Sequence, residues 1–379
     1  MYKVLLVSVG HFFDSTAEIP SIFKRAGCTV DIFCSEKSWL KSNKFHDNWI
    51  EASEEEESFK YELADYVKKN SDKYNWILLL DEFTLKLMNN FIGDDPFLFE
   101  KLLPITKIEN REVLSSKIGM SKACSRYNIT TPRFINYTED INLDYIAENL
   151  HFPILLKEDF SFSGLGIQYC ANINEFQSCL DKVLNRKNLV LQEFIEGEDI
   201  GVEALFYEGQ LVSYNCATIL SYMGGKFSFT TRRTYYQDAA LAKELKKLGE
   251  SFGISGFGSI QYIYHKERNL FYLIETDLRS NSWMPYSKFM KKDMSEGIKQ
   301  IMSGKIIGDF PETTPLKERI EIAIFDRDIR RCMKNKDLKG FLRWAVNYKG
   351  YWKFIPFYDT KLFNRIFTKL YKDLFKIKY

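Results

Sequence analysis

At 379 residues the chain is too long for one compact core, so two or three packed units are expected. A composition of 45% hydrophobic and 27% charged residues with a net charge of +2 excludes extended disorder and carries no global nucleic-acid signature. Seven cysteines without a CxxC pair argue against a disulfide framework or a zinc knuckle, and MYKVLLVSVG is too short in apolar residues for a signal peptide or a spanning helix, so a cytoplasmic protein is expected.

In chain order, YKVLLVS (2–8) reads as a buried strand, followed by a helical stretch that stops near Gly27. TVDIFC (29–34) is a second strand, 51–69 an acidic helix and YNWILLLD (74–81) a third strand. Strands alternating with helices at this spacing imply a parallel sheet with crossover connections, which places an α/β domain over 1–110. Residues 113–127 then read as a helix, 133–136 as a strand and 143–150 as a helix. FPILLK (152–157) is a strand that runs into the Gly/Ser-rich stretch DFSFSGLG, and a helix near 174–185 follows. The strands NLVLQEF (188–194), IGVEALFY (200–207) and QLVSYNCATI (210–219) come next, the last two joined by a tight Glu208-Gly209 turn. Helix 237–252 carries Leu241, Leu245, Leu248 and Phe252 at helical spacing, with Gly253 as its stop. Strands 257–264 and 270–277 close an α+β unit with an antiparallel sheet. From 327 onward the chain holds 15 Lys/Arg against 4 Asp/Glu.

Phosphate-loop, GxGxxG, HExxH and GxSxG motifs are all absent, and four scattered histidines give no support to zinc or His-base chemistry. The richest segment is GFGSIQYIYHKERNLFYLIETDLRSN (256–281). With HKERN (265–269) as a hairpin turn, Gln261 faces Leu273, Glu275 and Asp277 share a face, and Gln261 joins them diagonally beside Arg279. Two carboxylates on an apolar strand repel each other unless a cation neutralises them, and hard oxygen donors suit Mg²⁺ bridging phosphates. The bland alternative is a polar strand end in water. Lys157 ends an apolar strand just before SFSGLG (161–166), where backbone N–H groups and a lysine suit polyphosphate. In LVLQEFIEGEDIGVE (189–203), Glu193–Ile195 suit an adenine hinge, and Asp199 or Glu198 suits ribose hydroxyls. A plain turn with solvated acids is the alternative there.

The ordered set SSKIGMSKACSRYNITTPRF (115–134), FPILLKEDFSFSGLG (152–166), LVLQEFIEGED (189–199) and GFGSIQYIY…FYLIETDLR (256–279) resembles the ATP-grasp superfamily of the carboxylate–amine ligase type. The resemblance implies a Rossmann-like pre-ATP domain (1–110), a subdomain with a glycine loop (111–188) and a second subdomain with a metal site (189–310), and composition marks the remainder as a basic, aromatic C-terminal extension (311–379). It assigns phosphate binding to Lys117 and Lys157, and the mobile loop to Ser161, Ser163, Gly164 and Gly166. Gln192, Glu193 and Ile195 become the adenine hinge and Asp199 the ribose acid. Gln261, Glu275 and Asp277 become Mg²⁺ ligands. Arg279 would steady the transferring group, and Arg232 and Arg233 would meet the triphosphate. The family's last metal motif commonly reads Glu-x-Asn-x-Arg; here Asp277 replaces the Asn and Gln261 stands where an acid is commoner, so the carboxylate count stays at two and Asn281 becomes a spare oxygen donor.

The implied activity is an ATP- and Mg²⁺-dependent ligase that activates a small-molecule carboxylate as an acyl phosphate and joins it to an amine, with Trp283 and Tyr286 either lining the substrate pocket or packing in the core. The alternative is a non-catalytic nucleotide-binding scaffold on the same fold. Residues 339–379, basic and rich in aromatics, are expected to form a helical cap, with contact to an anionic membrane or an acidic carrier as the second reading. Nucleic acid is not expected as a partner, and a homodimer is, by analogy with many relatives.

Overall fold

The computed structural model describes residues 2–160, 166–183, 188–306, 308 and 313–375. The first unit is built from β1 (Lys3–Ser8), α1 (Ile19–Arg25), β2 (Thr29–Cys34), β3 (Asn48–Glu51), α2 (Glu56–Asn70), β4 (Trp76–Leu79), α3 (Glu82–Ile92) and α4 (Pro96–Leu102). Its four strands are parallel in the order β3-β2-β1-β4. Both faces are covered, which is why β1 reads as a continuous apolar run: Leu5 and Val7 pack toward α2, Val4 and Leu6 toward Ile19, Ile22 and Phe23 of α1. The acidic helix starts later than expected, because residues 48–51 form the edge strand β3, half-exposed and too short to show a period.

The second unit contains α5 (Lys117–Arg126), β5 (Phe134–Tyr137), α6 (Leu143–Asn149), β6 (Ile154–Glu158), β7 (Ile167–Cys170), α7 (Ile173–Leu180) and β8 (Leu189–Glu193). The strands form an antiparallel sheet in the order β5-β8-β6-β7. This moves a boundary: β8, expected to open the next subdomain, pairs with β5 and β6 and belongs here. Its LVL run is buried whichever sheet it joins, so pattern alone cannot assign its partner.

The central sheet is six-stranded, in the order β13-β12-β9-β10-β11-β14. It comprises β9 (Glu198–Tyr207), β10 (Gln210–Tyr222), β11 (Thr230–Tyr236), β12 (Gly256–His265), β13 (Leu270–Asp277) and β14 (Ile320–Ala323). Glu208 and Gly209 both take positive φ (48° and 82°), as a two-residue hairpin turn between β9 and β10 requires. Between β11 and β12 lies α8 (Ala239–Phe252), capped by Asp238 and stopped by Gly253 at φ 70°, its Leu241, Leu245, Leu248 and Phe252 fully buried. After α9 (Met294–Ser303) the C-terminal segment supplies β14 and then α10 (Phe325–Lys334), α11 (Leu338–Ala345) and α12 (Thr360–Phe375). The extension is therefore not a separate appendage, since β14 completes the central sheet beside β11.

The aromatic cap divides in two. Trp344, Tyr351 and Phe354 are buried with Trp283 and Tyr286, whereas Phe341, Tyr348, Trp352, Phe357, Phe367 and Tyr371 are exposed. The described cysteines are free thiols, with Cys170 and Cys216 fully buried as core residues. Among the described residues no helix is long and apolar enough to cross a membrane.

Candidate active site

A cleft of about 1070 Å³ opens between the three sheets, and most of the residues singled out in the sequence line it. One wall is made by α5 and β6. The helix N-terminus is tied to the end of β6 by Asp159, whose carboxylate accepts from Ser116 Oγ (3.0 Å) and from the Ile118 N–H (2.8 Å). Lys117, the first residue of the helix, is thereby held at the cleft and reaches the Asp159 carbonyl at 3.2 Å. Lys157 projects from β6, only 4% exposed, and donates to Gln192 Oε1 at 2.5 Å. Burial depresses its ammonium to about 8; Glu275 opposes the shift and Lys117 adds to it. Gln192 thus serves as an acceptor for Lys157.

At the expected hinge, the N–H groups of Glu193 and Phe194 are engaged by the carbonyls of Arg133 and Pro153, both at 2.9 Å. The Glu193 carboxylate accepts from the His151 N–H at 2.8 Å. Ile195 lines the cleft, and its N–H makes no hydrogen bond among the described residues. Asp199 lines the same end and accepts from the Tyr222 hydroxyl at 2.6 Å, while Glu198 turns to Thr218 Oγ1. Ser161, Ser163 and Gly164 lie outside the described residues. Gly166 sits at φ 76° beyond the cleft lining, its carbonyl accepting from the Glu158 N–H.

The opposite wall is the β12–β13 hairpin, where the structure corrects the expected register. His265 pairs with Leu270, so the turn has four residues, and a bulge then sets Gln261 opposite Glu275 rather than Leu273. Ser259 faces Asp277 on the same side, so Gln261, Glu275 and Asp277 still share one face, with Gln261 directly across the ladder rather than diagonal. Burial, aggravated by Glu275 and Glu82, pushes the Asp277 carboxyl up to about 8 although Arg279 opposes the shift. Arg279 donates to Asp277 Oδ2 at 2.7 Å and to Glu82 Oε2 at 2.8 Å, which couples this edge to the start of α3. Burial works against the guanidinium's charge, but Asp277 and Glu82 hold it firmly protonated.

Among the described residues no cluster of three or more His, Cys, Asp and Glu could hold a metal by itself. The donor set fits Mg²⁺ bound through two carboxylates, an amide oxygen, water and substrate phosphate, and the crowding that raises Asp277 is relieved by a divalent cation. Asn281 is not a spare donor to that set. Its oxygen accepts from the Trp283 and Met284 N–H groups, and its amide donates to Glu203 and Ser259.

Neighbouring strand residues face opposite ways, and this separates the two expected arginines. Arg233 faces the cleft, stacks over the Trp283 ring at 4.5 Å and donates to Glu203 Oε1 at 2.6 Å in a buried pair. Arg232 turns away from the cleft, toward Ser221 of β10 and toward Glu321 and Asp328 of the C-terminal unit, and does not line it. Likewise Trp283 lines the cleft, whereas Tyr286 packs in the core against Phe289 and Phe354. Glycine at 201 makes room for the Arg233 guanidinium, since a Cβ there would stand 2.8 Å from its Nη1. Gly201→Ala is expected to displace Arg233 from Glu203 and to lower the unfolding free energy by about 1–3 kcal/mol, as overpacking does. Urea denaturation checks this, and an unchanged midpoint would count against the packing account.

Several residues at the site carry no motif signal: Glu82, Asp159, Glu203 and Tyr222 reach it only through tertiary packing. The far end of the cleft is lined by Arg327, Arg330 and Lys334 of α10 and Lys369 of α12. The first three recur at helical spacing, the one signal from which they could have been read. Asp14, in the loop after β1, accepts from Arg327 (3.0 Å) and Lys369 (2.8 Å); burial favours its neutral form, but these cations hold it well below the usual carboxylate range.

No protein-family model matches the chain. It is similar to the D-alanine–D-alanine ligase of Flavobacterium psychrophilum, 25% identical over 213 residues covering 52% of this chain and 62% of that protein. The alignment thus spans less than two thirds of that relative's length. Among solved structures, the L-amino acid ligase of Bacillus licheniformis superposes with a TM-score of 0.59 at 15% identity, covering 82% of this chain and 78% of that one. The biotin carboxylase domain dimer of the Hydrogenobacter thermophilus 2-oxoglutarate carboxylase, in complex with MgADP, ADP and bicarbonate, gives a TM-score of 0.57 at 15% identity, covering 82% and 72%.

Proposed function

The chain belongs to the ATP-grasp superfamily, and from that premise we propose that it is an ATP- and Mg²⁺-dependent ligase joining a small-molecule carboxylate to an amine. The observation that carries this reading is the convergence, in one cleft, of Lys117 and Lys157 from one sheet unit with Glu275, Asp277 and Arg279 from another. The adenine lies against Ile195 and the ribose hydroxyls against Asp199, which leaves the triphosphate between the lysines and the carboxylates. Glu275, Asp277 and Gln261 would hold Mg²⁺, which when bound would neutralise charge on the phosphate oxygens.

A substrate carboxylate oxygen attacks the γ-phosphorus, ADP leaves, and an acyl phosphate remains. The amine nitrogen then attacks the acyl carbon, loses a proton and expels phosphate. Lys117, Lys157 and Arg279 position the phosphates and balance their charge, so the protein needs no nucleophile of its own. Asp14 and Asp373 pair with Arg327, Lys369 and Arg330 where these line the cleft, so Lys334, which forms no ion pair among the described residues, is the cation that would receive the carboxylate substrate. The N-terminal parallel sheet takes the place of a pre-ATP domain. A homodimer belongs to the same proposal, supported by the dimeric form of the biotin carboxylase domain, and sedimentation velocity checks it.

Incubating the protein with MgATP, panels of carboxylates and hydroxylamine tests the activity. A hydroxamate formed in step with ADP release is the expected result. Nucleotide binding without hydroxamate from any carboxylate would favour the non-catalytic scaffold reading.

A further inference from the structure

The C-terminal unit carries a surface that the ligase reading does not use. In α11, Trp344 and Gly340 face inward, while Leu338, Phe341 and Leu342, followed one turn on by Val346, project outward at 71, 43, 50 and 68% exposure. Their spacing of three, four and eight residues from the first makes one helical stripe. Trp352, half-exposed, is fastened beside the end of this helix by its indole N–H on the Trp344 carbonyl at 2.7 Å. Single exposed apolar residues are ordinary, but a contiguous stripe with an adjoining indole is not.

Charge narrows what covers it. Residues 338–358 include Lys339, Arg343, Lys349 and Lys353 and no Asp or Glu. Glu321 of β14 lies 3.8 Å from Arg343 and 3.7 Å from Lys349, whereas Lys339 and Lys353 form no ion pair among the described residues. The covering surface is therefore anionic and accepts aliphatic side chains. A two-fold contact with a second copy would set cations against cations. Nucleic acid supplies the charge but no apolar phase for Leu338, Leu342 and Val346.

We propose that this face docks the protein on an anionic lipid surface, with Leu338, Phe341, Leu342 and Val346 at the boundary of headgroups and acyl chains and Lys339 and Lys353 among the lipid phosphates. The contact is peripheral and reversible, because one short helix buries little apolar area.

The test is co-sedimentation of the full chain with vesicles of phosphatidylcholine and phosphatidylglycerol in equal parts, and with phosphatidylcholine alone. Binding to the anionic vesicles only, weakened by salt, is expected. Leu338→Ser/Phe341→Ser and Lys339→Gln/Lys353→Gln are each expected to weaken it by about tenfold or more. Near-UV circular dichroism and cooperative thermal unfolding, unchanged in both variants, establish that the fold is intact. No binding at low ionic strength overturns the proposal. So does equal binding of the Ser/Ser variant, which reduces the contact to non-specific charge attraction. A change of oligomeric state in that variant assigns the stripe to a protein interface instead.

Discussion

In a Glu275→Gln/Asp277→Asn double variant, MgATP is expected to give no stabilisation against thermal unfolding. Wild type at a nucleotide concentration 100 times its dissociation constant should gain about 2.7 kcal/mol. The two carboxylates share one face of β13 with Gln261 opposite, and Asp277 is already pushed up to about 8 by burial and its acidic neighbours. Such a pair stands ready for a cation. Above pH 8, where Asp277 is charged, the pair also repels a triphosphate that arrives without a cation, so there the variant is expected to bind metal-free ATP no worse than wild type does. Lys117 and Lys157, which line the same cleft and are the proposed phosphate ligands, are untouched by these substitutions. Calorimetric titrations with and without Mg²⁺ separate these effects. Equal loss of ATP binding in both conditions would mean that the variant has damaged the cleft rather than the metal site.

Lys157→Met is expected to lower turnover of ATP by about 10²–10³-fold, the usual cost of deleting one charge-stabilising group in a dry site. It should also remove a specific pH dependence. The ammonium in the free protein is depressed by burial from 10.5 to about 8, so between those values the folded protein binds fewer protons than the unfolded chain. In that window the Lys157 contribution to stability rises with pH. Below pH 8 the buried charge is a standing cost to the fold. A triphosphate beside Lys157 reverses the depression, so nucleotide binding takes up protons above pH 8 and affinity falls as pH rises. Titration calorimetry in buffers of different ionisation enthalpy measures the uptake. Proton uptake that persists undiminished in Lys157→Met would assign it to another group.

Much of this architecture was legible from residue pattern. The apolar runs of β1, β2 and β9, the spacing of Leu241, Leu245, Leu248 and Phe252, and the Glu208-Gly209 turn were all readable because burial and turn chemistry act within a few residues. The alternation of side chains along β13 likewise put Glu275 and Asp277 on one face. That alternation also distinguishes Arg232 from Arg233, although the family resemblance alone implies a triphosphate role for both. The wrong register of the β12–β13 hairpin has a plain cause: a bulge adds one unpaired residue, and nothing in YLIETD marks where it falls.

By itself, then, the sequence determined the local elements, the facing of the carboxylates and the kinds of charge available to a phosphate site. Tertiary structure alone decided that β8 joins the first antiparallel sheet and β14 the central one, since strand pairing is a contact between distant segments and a buried apolar run fits any of them. It also decided that Glu82 holds Arg279 across 197 residues of chain, and that Asp14 meets Arg327 and Lys369 across 313 and 355. Those ion pairs depend on desolvation and close approach, which only the folded chain supplies.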